Sequence, residues 1–257
     1  MSGRAGTWLT ARPIAHRGLH DGVRIIENTA SAVTAAITEG YGVEVDLQIS
    51  ADGEAMVHHD DALGRLTDGA GPLRNLTAAA LKAVAFKATA DRMMTLGELI
   101  DLVAGRVALV LELKSRFDGD LRLAARAAAV LGPNPGPIGV MSFDPALIVE
   151  LRRLSPQLVR GIVSERHFRP QDWGPRRGPA AGLVATAHRL ELAFLLHGPA
   201  SRPDFVAYKV SDLKTIAPQV ARTMFGLPVL AWTVRSEEDR AMAARLADQM
   251  IFEGFRA

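Results

Sequence analysis

The chain has 257 residues, 48% of them hydrophobic, and 30 Lys and Arg against 28 Asp and Glu give it a formal net charge of +2. The absence of cysteine excludes thiol catalysis, disulfides and thiolate metal sites, and says little about compartment. Arginines scattered through helix-like segments, with no basic stripe interleaved with aromatics, argue against nucleic acid, and no run approaches the ~20 apolar residues of a membrane span.

This length suits one α/β barrel, and no low-complexity stretch, charge block, repeat or Ser/Gly linker divides the chain, so a single domain over 1–257 is expected. Met1 to Arg12 lacks the apolar core of a signal peptide, which reads as a cytoplasmic protein. The oligomeric state is open.

In chain order, Pro13-Ile14-Ala15-His16-Arg17-Gly18 is a short strand ending in an imidazole and a guanidinium. Asn28 to Gly40 is helix-like, with Asn28 or Thr29 as cap and Gly40 as stop. Next comes Gly42-Val43-Glu44-Val45-Asp46-Leu47-Gln48-Ile49, an apolar strand carrying two carboxylates. A strand has a side-chain period of two, so Glu44 and Asp46 share one face and Val43, Val45 and Leu47 the other. Glu54 to Asp60 is a further short extended run ending in His58 and His59. From Asp60 to Thr89 the chain is polar and turn-rich, with a small helix near Thr77 to Val84.

A helix follows at Thr95 to Ala104, where Thr95 and Glu98 have capping-box spacing. Ala108 to Lys114 is a strand with Glu112 and Lys114 on one face, and Asp120 to Leu131 a helix. Loops are expected at Gly132 to Pro137 and Pro170 to Pro179. Strands are predicted at 138–142, 159–163, 205–209, 229–234 and 250–253, and helices at 146–154, 214–225 and 237–247. Residues 182–196 are ambiguous and favour helix. Eight main strands alternating with helices predict a TIM-type parallel β/α barrel.

Two like charges on one strand face repel, and an unpaired buried carboxylate costs several kcal/mol. A chain keeps such a pair when a cation joins it, and oxygen-only ligands favour calcium or magnesium over zinc. The competing reading of Glu44, Asp46 and Glu112 is a buried salt-bridge network with Arg17 and Lys114. Four strand-like segments ending in groups that bind metal, move protons or hold anions make a site the better reading. His58 and His59 face opposite ways, so only one of them can look into it. His20, His167, His188 and His197 carry no supporting pattern and read as structural or surface residues.

The ordered set His16-Arg17-Gly18, Glu27-Asn28-Thr29, Glu44-x-Asp46, His59-Asp60-x-x-Leu63-x-Arg65-x-Thr67, Leu111-Glu112-Leu113-Lys114, Ser142-Phe143-Asp144 and Trp232-Thr233-Val234 closely resembles the glycerophosphodiester phosphodiesterase family over nearly the whole chain. The resemblance implies a TIM-type barrel with a small insertion, about 60–90, after the second strand. It also implies one divalent cation, Ca2+ or Mg2+ with Mn2+ an alternative, on Glu44, Asp46 and Glu112, and His16 and His59 as the acid/base pair. It selects His59 over His58. Arg17 and Lys114 would hold the phosphate; Glu27, Trp232 and Phe143 are candidates for the rest of the substrate pocket, with helix capping and core packing as their plain alternatives. The implied substrate is a small glycerophosphodiester, a lysophospholipase D or a silent phospho-ligand-binding barrel being the rival readings. The chain departs from the family pattern at Ile26 (proline in the family), at Arg235 (often asparagine) and in Asp248-Gln249-Met250-Ile251-Phe252-Glu253-Gly254, which replaces the usual terminal Asp-Gly motif. The last two are expected to alter the far rim of the pocket and to leave the metal and the histidines untouched.

Overall fold

The computed structural model describes residues 5–132, 136–168 and 181–257, with side chains from 187 onward in the last segment. In chain order the strands are β1 (Ile14–Ala15), β2 (Gly42–Ile49), β3 (Ala55–Val57), β4 (Ala62–Leu63), β5 (Gly71–Pro72), β6 (Leu109–Leu113), β7 (Ile138–Ser142), β8 (Val159–Ser164), β9 (Phe205–Lys209), β10 (Val229–Val234) and β11 (Gln249–Phe252). The helices are α1 (Ala30–Thr38), α2 (Ala78–Ala83), α3 (Leu96–Val103), α4 (Arg122–Leu131), α5 (Pro145–Leu154), α6 (Ala181–Ala193), α7 (Gly198–Ser201), α8 (Ile216–Thr223) and α9 (Glu237–Leu246).

Eight strands run parallel in the order β1-β2-β6-β7-β8-β9-β10-β11, and β11 pairs back onto β1. This is the expected TIM-type barrel. The segment that ends in His59 differs from expectation: β3 is antiparallel to β2, with Leu47 opposite Val57 and Ile49 opposite Ala55. The long β2 overshoots the barrel rim, turns at Ser50 to Glu54, and β3 returns along its outer end. His59 therefore reaches the mouth by a hairpin, not from the end of a barrel strand. The insertion that follows holds the β4–β5 hairpin and α2, and Leu63, Leu73, Leu81 and Phe86 pack with Ile26, Met56 and Met93 into a small core of its own. The Pro170 to Pro179 loop and residues 133–135 lie outside the described residues.

Local signals account for the helix starts. Thr29, not Asn28, caps α1 by accepting from the Ala32 amide, and Thr95 and Glu98 close a full capping box on α3. Asp144 caps α5, where Pro145 supplies the pre-set φ of a first helical position.

Period-two alternation puts Val43, Val45 and Leu47 outward into the layer between sheet and helices. It puts Ile14, Val110, Met141, Val163, Phe205, Ala207, Leu230 and Ile251 inside the barrel, where Leu9 and Trp8 join them. The next inward layer towards the strand C-termini carries the charged groups, so the apolar plug is the floor of the site. Gly161 makes room for that plug: a Cβ there would lie 2.3 Å from the ring of Phe205, which is wholly buried. Gly161→Ala should therefore cost on the order of 1–3 kcal/mol by overpacking, a fall in melting temperature of several degrees at roughly 2–4 °C per kcal/mol. Phe205→Leu in the same chain should recover part of it. Equal melting temperatures for wild type and Gly161→Ala would contradict this packing.

Candidate active site

Asp46 on β2 sits in register with Glu112 on β6, and Glu44 lies two residues earlier on the same inward face. All three carboxylates are buried, and each offers an oxygen within 4.8 Å of the others. The structure supplies two cations to them. Lys114 Nζ lies 2.6 Å from Glu112 Oε1 and 2.8 Å from Asp46 Oδ1, and Arg17 Nε lies 3.1 Å from Asp46 Oδ2. The Arg17 amide donates to Glu44 Oε2 at 3.0 Å. Asn28 fixes Asp46 from the other side, its Nδ2 donating to Oδ2 at 2.9 Å while its Oδ1 accepts from the Asp46 amide at 3.1 Å. Arg17 and Asn28 both hold left-handed backbone, φ 56° and 58°, a conformation that bulky residues keep only where the surroundings impose it.

Burial, then Asp46 and Glu112, pushes the Glu44 carboxyl well above its ordinary range. Glu112 is also raised, by burial first, with Lys114 opposing. Asp46 goes the other way: burial acts upward, but Lys114, Arg17 and His59 outweigh it and hold the carboxylate ionised. Two oxygens remain short of partners. Glu44 Oε1 is buried without a hydrogen bond, and Asp46 Oδ1 has the Lys114 ion pair but no aligned hydrogen bond. Buried carboxylate oxygens normally find donors or a metal, so this donor set fits a hard divalent cation on Glu44, Asp46 and Glu112.

His16 lies directly after β1. Its Nδ1 donates to Glu253 Oε2 at 2.8 Å, and its Nε2 is 3.9 Å from Glu44 Oε2. His59 Nδ1 donates to Asp60 Oδ1 at 2.8 Å. Burial is the largest influence on both imidazoles and lowers both pKa values. The two neighbouring histidines differ in what they face. The charges acting most on His59 are Lys114, Asp46 and Arg17, those of the centre, whereas His58 responds first to Asp60 and Arg65. His58 is 2% exposed.

Glu27 accepts from Arg17 at 2.7 Å and from Arg65 at 2.6 Å, and Arg65 continues to Asp60 at 2.6 Å. A chain of alternating charge thus runs from Arg17 at the centre to the carboxylate behind His59. Phe143 and Trp232 meet edge to face at 5.5 Å between ring centres, and Trp232 Nε1 donates to the Ala207 carbonyl. They wall the mouth beside a Lys209–Glu165 pair of 2.5 Å. Sequence reasoning passed over that pair, although each member lies two residues beyond an interior residue, Ala207 or Val163, where strand alternation would have found it.

The structure corrects one further reading. Arg235 and Glu253 bond to one another at 2.7 Å, and Glu253 reaches His16, so the altered C-terminal motif touches a histidine and is not confined to the far rim. His20 lies inside, its side chain 9% exposed and Nε2 3.9 Å from Glu253 Oε1. The signal for Glu253 was available: it follows the interior Ile251 by two residues.

Residues 16–254 match the model of the Glycerophosphoryl diester phosphodiesterase family. A glycerophosphodiester phosphodiesterase of Caldanaerobacter subterraneus is 36% identical over 110 residues, 40% of this chain and 44% of that protein. Glycerophosphodiester phosphodiesterase 1 of Bos taurus is 47% identical over 66 residues, 25% of this chain and 19% of that protein. These matches span less than half the length of either relative. Among solved structures, an Oleispira antarctica phosphodiesterase in complex with sn-glycerol-3-phosphate has a TM-score of 0.73 at 24% identity, covering 96% of this chain and 94% of that one, a likeness of fold.

The raised carboxyls set a sign for ion binding. Glu44 and Glu112 take up protons more readily than free carboxylates, and a cation must displace those protons. Affinity for a divalent cation should therefore rise with pH through their elevated range, with protons released on binding. Titration calorimetry in two buffers of different ionisation heat measures that release. PH-independent affinity without proton release would contradict the electrostatics described above.

Proposed function

The chain belongs to the glycerophosphoryl diester phosphodiesterase family, and from that premise we propose that it is a divalent-metal-dependent phosphodiesterase that hydrolyses glycerophosphodiesters to glycerol 3-phosphate and an alcohol. The observation that carries this reading is the buried group Glu44, Asp46 and Glu112, flanked by two imidazoles whose Nδ1 atoms are each held by a carboxylate. That the Oleispira antarctica protein was solved with sn-glycerol-3-phosphate supports the choice of product.

Cleaving a phosphodiester requires charge neutralisation on the phosphoryl oxygens, deprotonation of the attacking oxygen and protonation of the leaving alkoxide. An ion on Glu44, Asp46 and Glu112 would supply Lewis acidity and positive charge at those oxygens. Arg17 and Lys114 contribute fixed positive charge to the same region. Glu27 aims Arg17 by accepting from its Nη1. With Nδ1 committed to donation in both rings, His16 and His59 are left with Nε2 as the atom that takes or gives the proton. Neutral imidazole suits the base, which takes the proton of the attacking oxygen; the other ring, protonated beforehand, serves as the acid by giving its Nε2 proton to the departing oxygen. Phe143 and Trp232 offer apolar walls to the carbon skeleton of glycerol or of the alcohol.

Lys114 already bridges two carboxylates, so its contribution to phosphate binding can be isolated. Lys114→Met should lower kcat/KM by about 10²-fold, in the range of a lost charge-stabilising donor, while the protein still binds the divalent ion. Lost ion binding without a separate kinetic defect would make Lys114 a structural partner of Glu112 alone.

His16→Ala and His59→Ala should each lower turnover of a glycerophosphodiester by ~10²–10⁴-fold with the fold intact. A p-nitrophenyl ester, whose leaving group needs little protonation, should rescue the variant lacking the acid and not the one lacking the base. All of this turnover should vanish in chelator; full activity in chelator would sink the metal-dependent reading. Near-normal rates in both variants alongside a dead His58→Ala would transfer the role to His58.

A further inference from the structure

Glu253 is the first residue after β11 and is drawn to His16 from 237 positions away in the sequence. One of its oxygens, Oε2, accepts both His16 Nδ1 at 2.8 Å and Arg235 Nη2 at 2.7 Å. The other, Oε1, stands 3.9 Å from Nε2 of His20, a buried ring neither of whose nitrogens has a hydrogen bond. Glu253 thus stands between two imidazoles and is hydrogen-bonded to one. Accepting from His16 lowers its pKa to about 2, which keeps it a carboxylate and therefore an acceptor at any working pH.

His16 also has two carboxylates to choose from. Glu44 lies beyond hydrogen-bond distance of Nε2, and Glu253 is within it at Nδ1. A neutral imidazole carries one proton, and the stronger acceptor decides which nitrogen holds it. Resting on the reading of His16 as an acid–base group, we propose that Glu253 is a positioning residue for the reaction. It fixes the His16 tautomer and ring orientation so that a bare Nε2 faces the carboxylate centre, and Arg235 keeps it on the His16 side, away from His20. Arg235 and Glu253 are two positions at which the chain departs from its family's pattern, and they act here as one unit. Arg235 is 58% exposed, so its share of the effect is the smaller one.

The test uses the full chain with Ca2+ present. Glu253→Ala should lower kcat by roughly 10–100-fold, the range for a partner that orients a working histidine, with KM and Ca2+ affinity changed by no more than about twofold. Formate, which can enter the space left by the carboxylate, should restore part of the rate in Glu253→Ala and none in His16→Ala. Arg235→Met should lose less than about fivefold. Long-range 1H–15N spectra give a readout independent of turnover: His16 should be protonated at Nδ1 in the wild type and become a tautomer mixture in Glu253→Ala. An unchanged kcat, a rise in KM alone, or an unchanged His16 tautomer would each overturn the proposal. If the wild type hydrolyses no glycerophosphodiester while the tautomer still depends on Glu253, the phosphodiesterase reading fails and the Glu253–His16 assignment stands.

Discussion

The site is organised around keeping Asp46 ionised between two other buried carboxylates. Two full charges about 5 Å apart repel by roughly 3 kcal/mol at an effective dielectric of ~20, and desolvation adds to that cost. Lys114 and Arg17 lie on opposite oxygens of Asp46, and Asn28 grips both its carboxylate and its amide. Much of the local architecture serves these contacts. The β1 strand stops after two residues, and Arg17 and Asn28 in the loop beyond it hold left-handed backbone. The three carboxylates outnumber the two cations by one, and burial with the neighbouring Asp46 and Glu112 raises the Glu44 carboxyl, so that it gives up its charge more readily.

Much of the barrel and most of this centre could be read from the sequence because both follow from strand period. Glu44 and Asp46, and Glu112 and Lys114, are pairs two residues apart in apolar runs, and alternation alone puts each pair on one face. Capping residues located α1 and α3 within a residue or two. What could not be read was whatever depends on the sheet being closed. Nothing in the run from Glu54 to Asp60 tells a barrel strand from a hairpin return, and the distinction decides how His59 reaches the mouth. Asn28 passed for a helix cap because it precedes one, while its side chain serves a strand 18 residues away.

The two imidazoles illustrate the same limit from opposite sides. His59 is oriented by its immediate neighbour Asp60, which Arg65 and Glu27 tie back to Arg17. Every member of that relay lies within the first 65 residues and inside the motifs that carry the family resemblance. His16 is oriented by the residue just past the last strand, brought to it because β11 pairs with β1. Their surroundings also differ: the His16 side chain is 12% exposed and that of His59 32%. The ring nearer solvent suits exchange of protons with water, and the enclosed one depends more on its carboxylate partner.

That dependence explains why the changes at the end of the chain reach further than their position suggests. The Glu253 carboxylate is hydrogen-bonded to His16 and stands 3.9 Å from His20. Arginine at 235 then meets the same carboxylate from the rim. A cation there without the acid would stand unpaired beside the imidazoles, and the acid without the cation would be free to serve either ring. The two residues make physical sense together and less sense singly, both serving one histidine beside a carboxylate centre laid down by strand alternation.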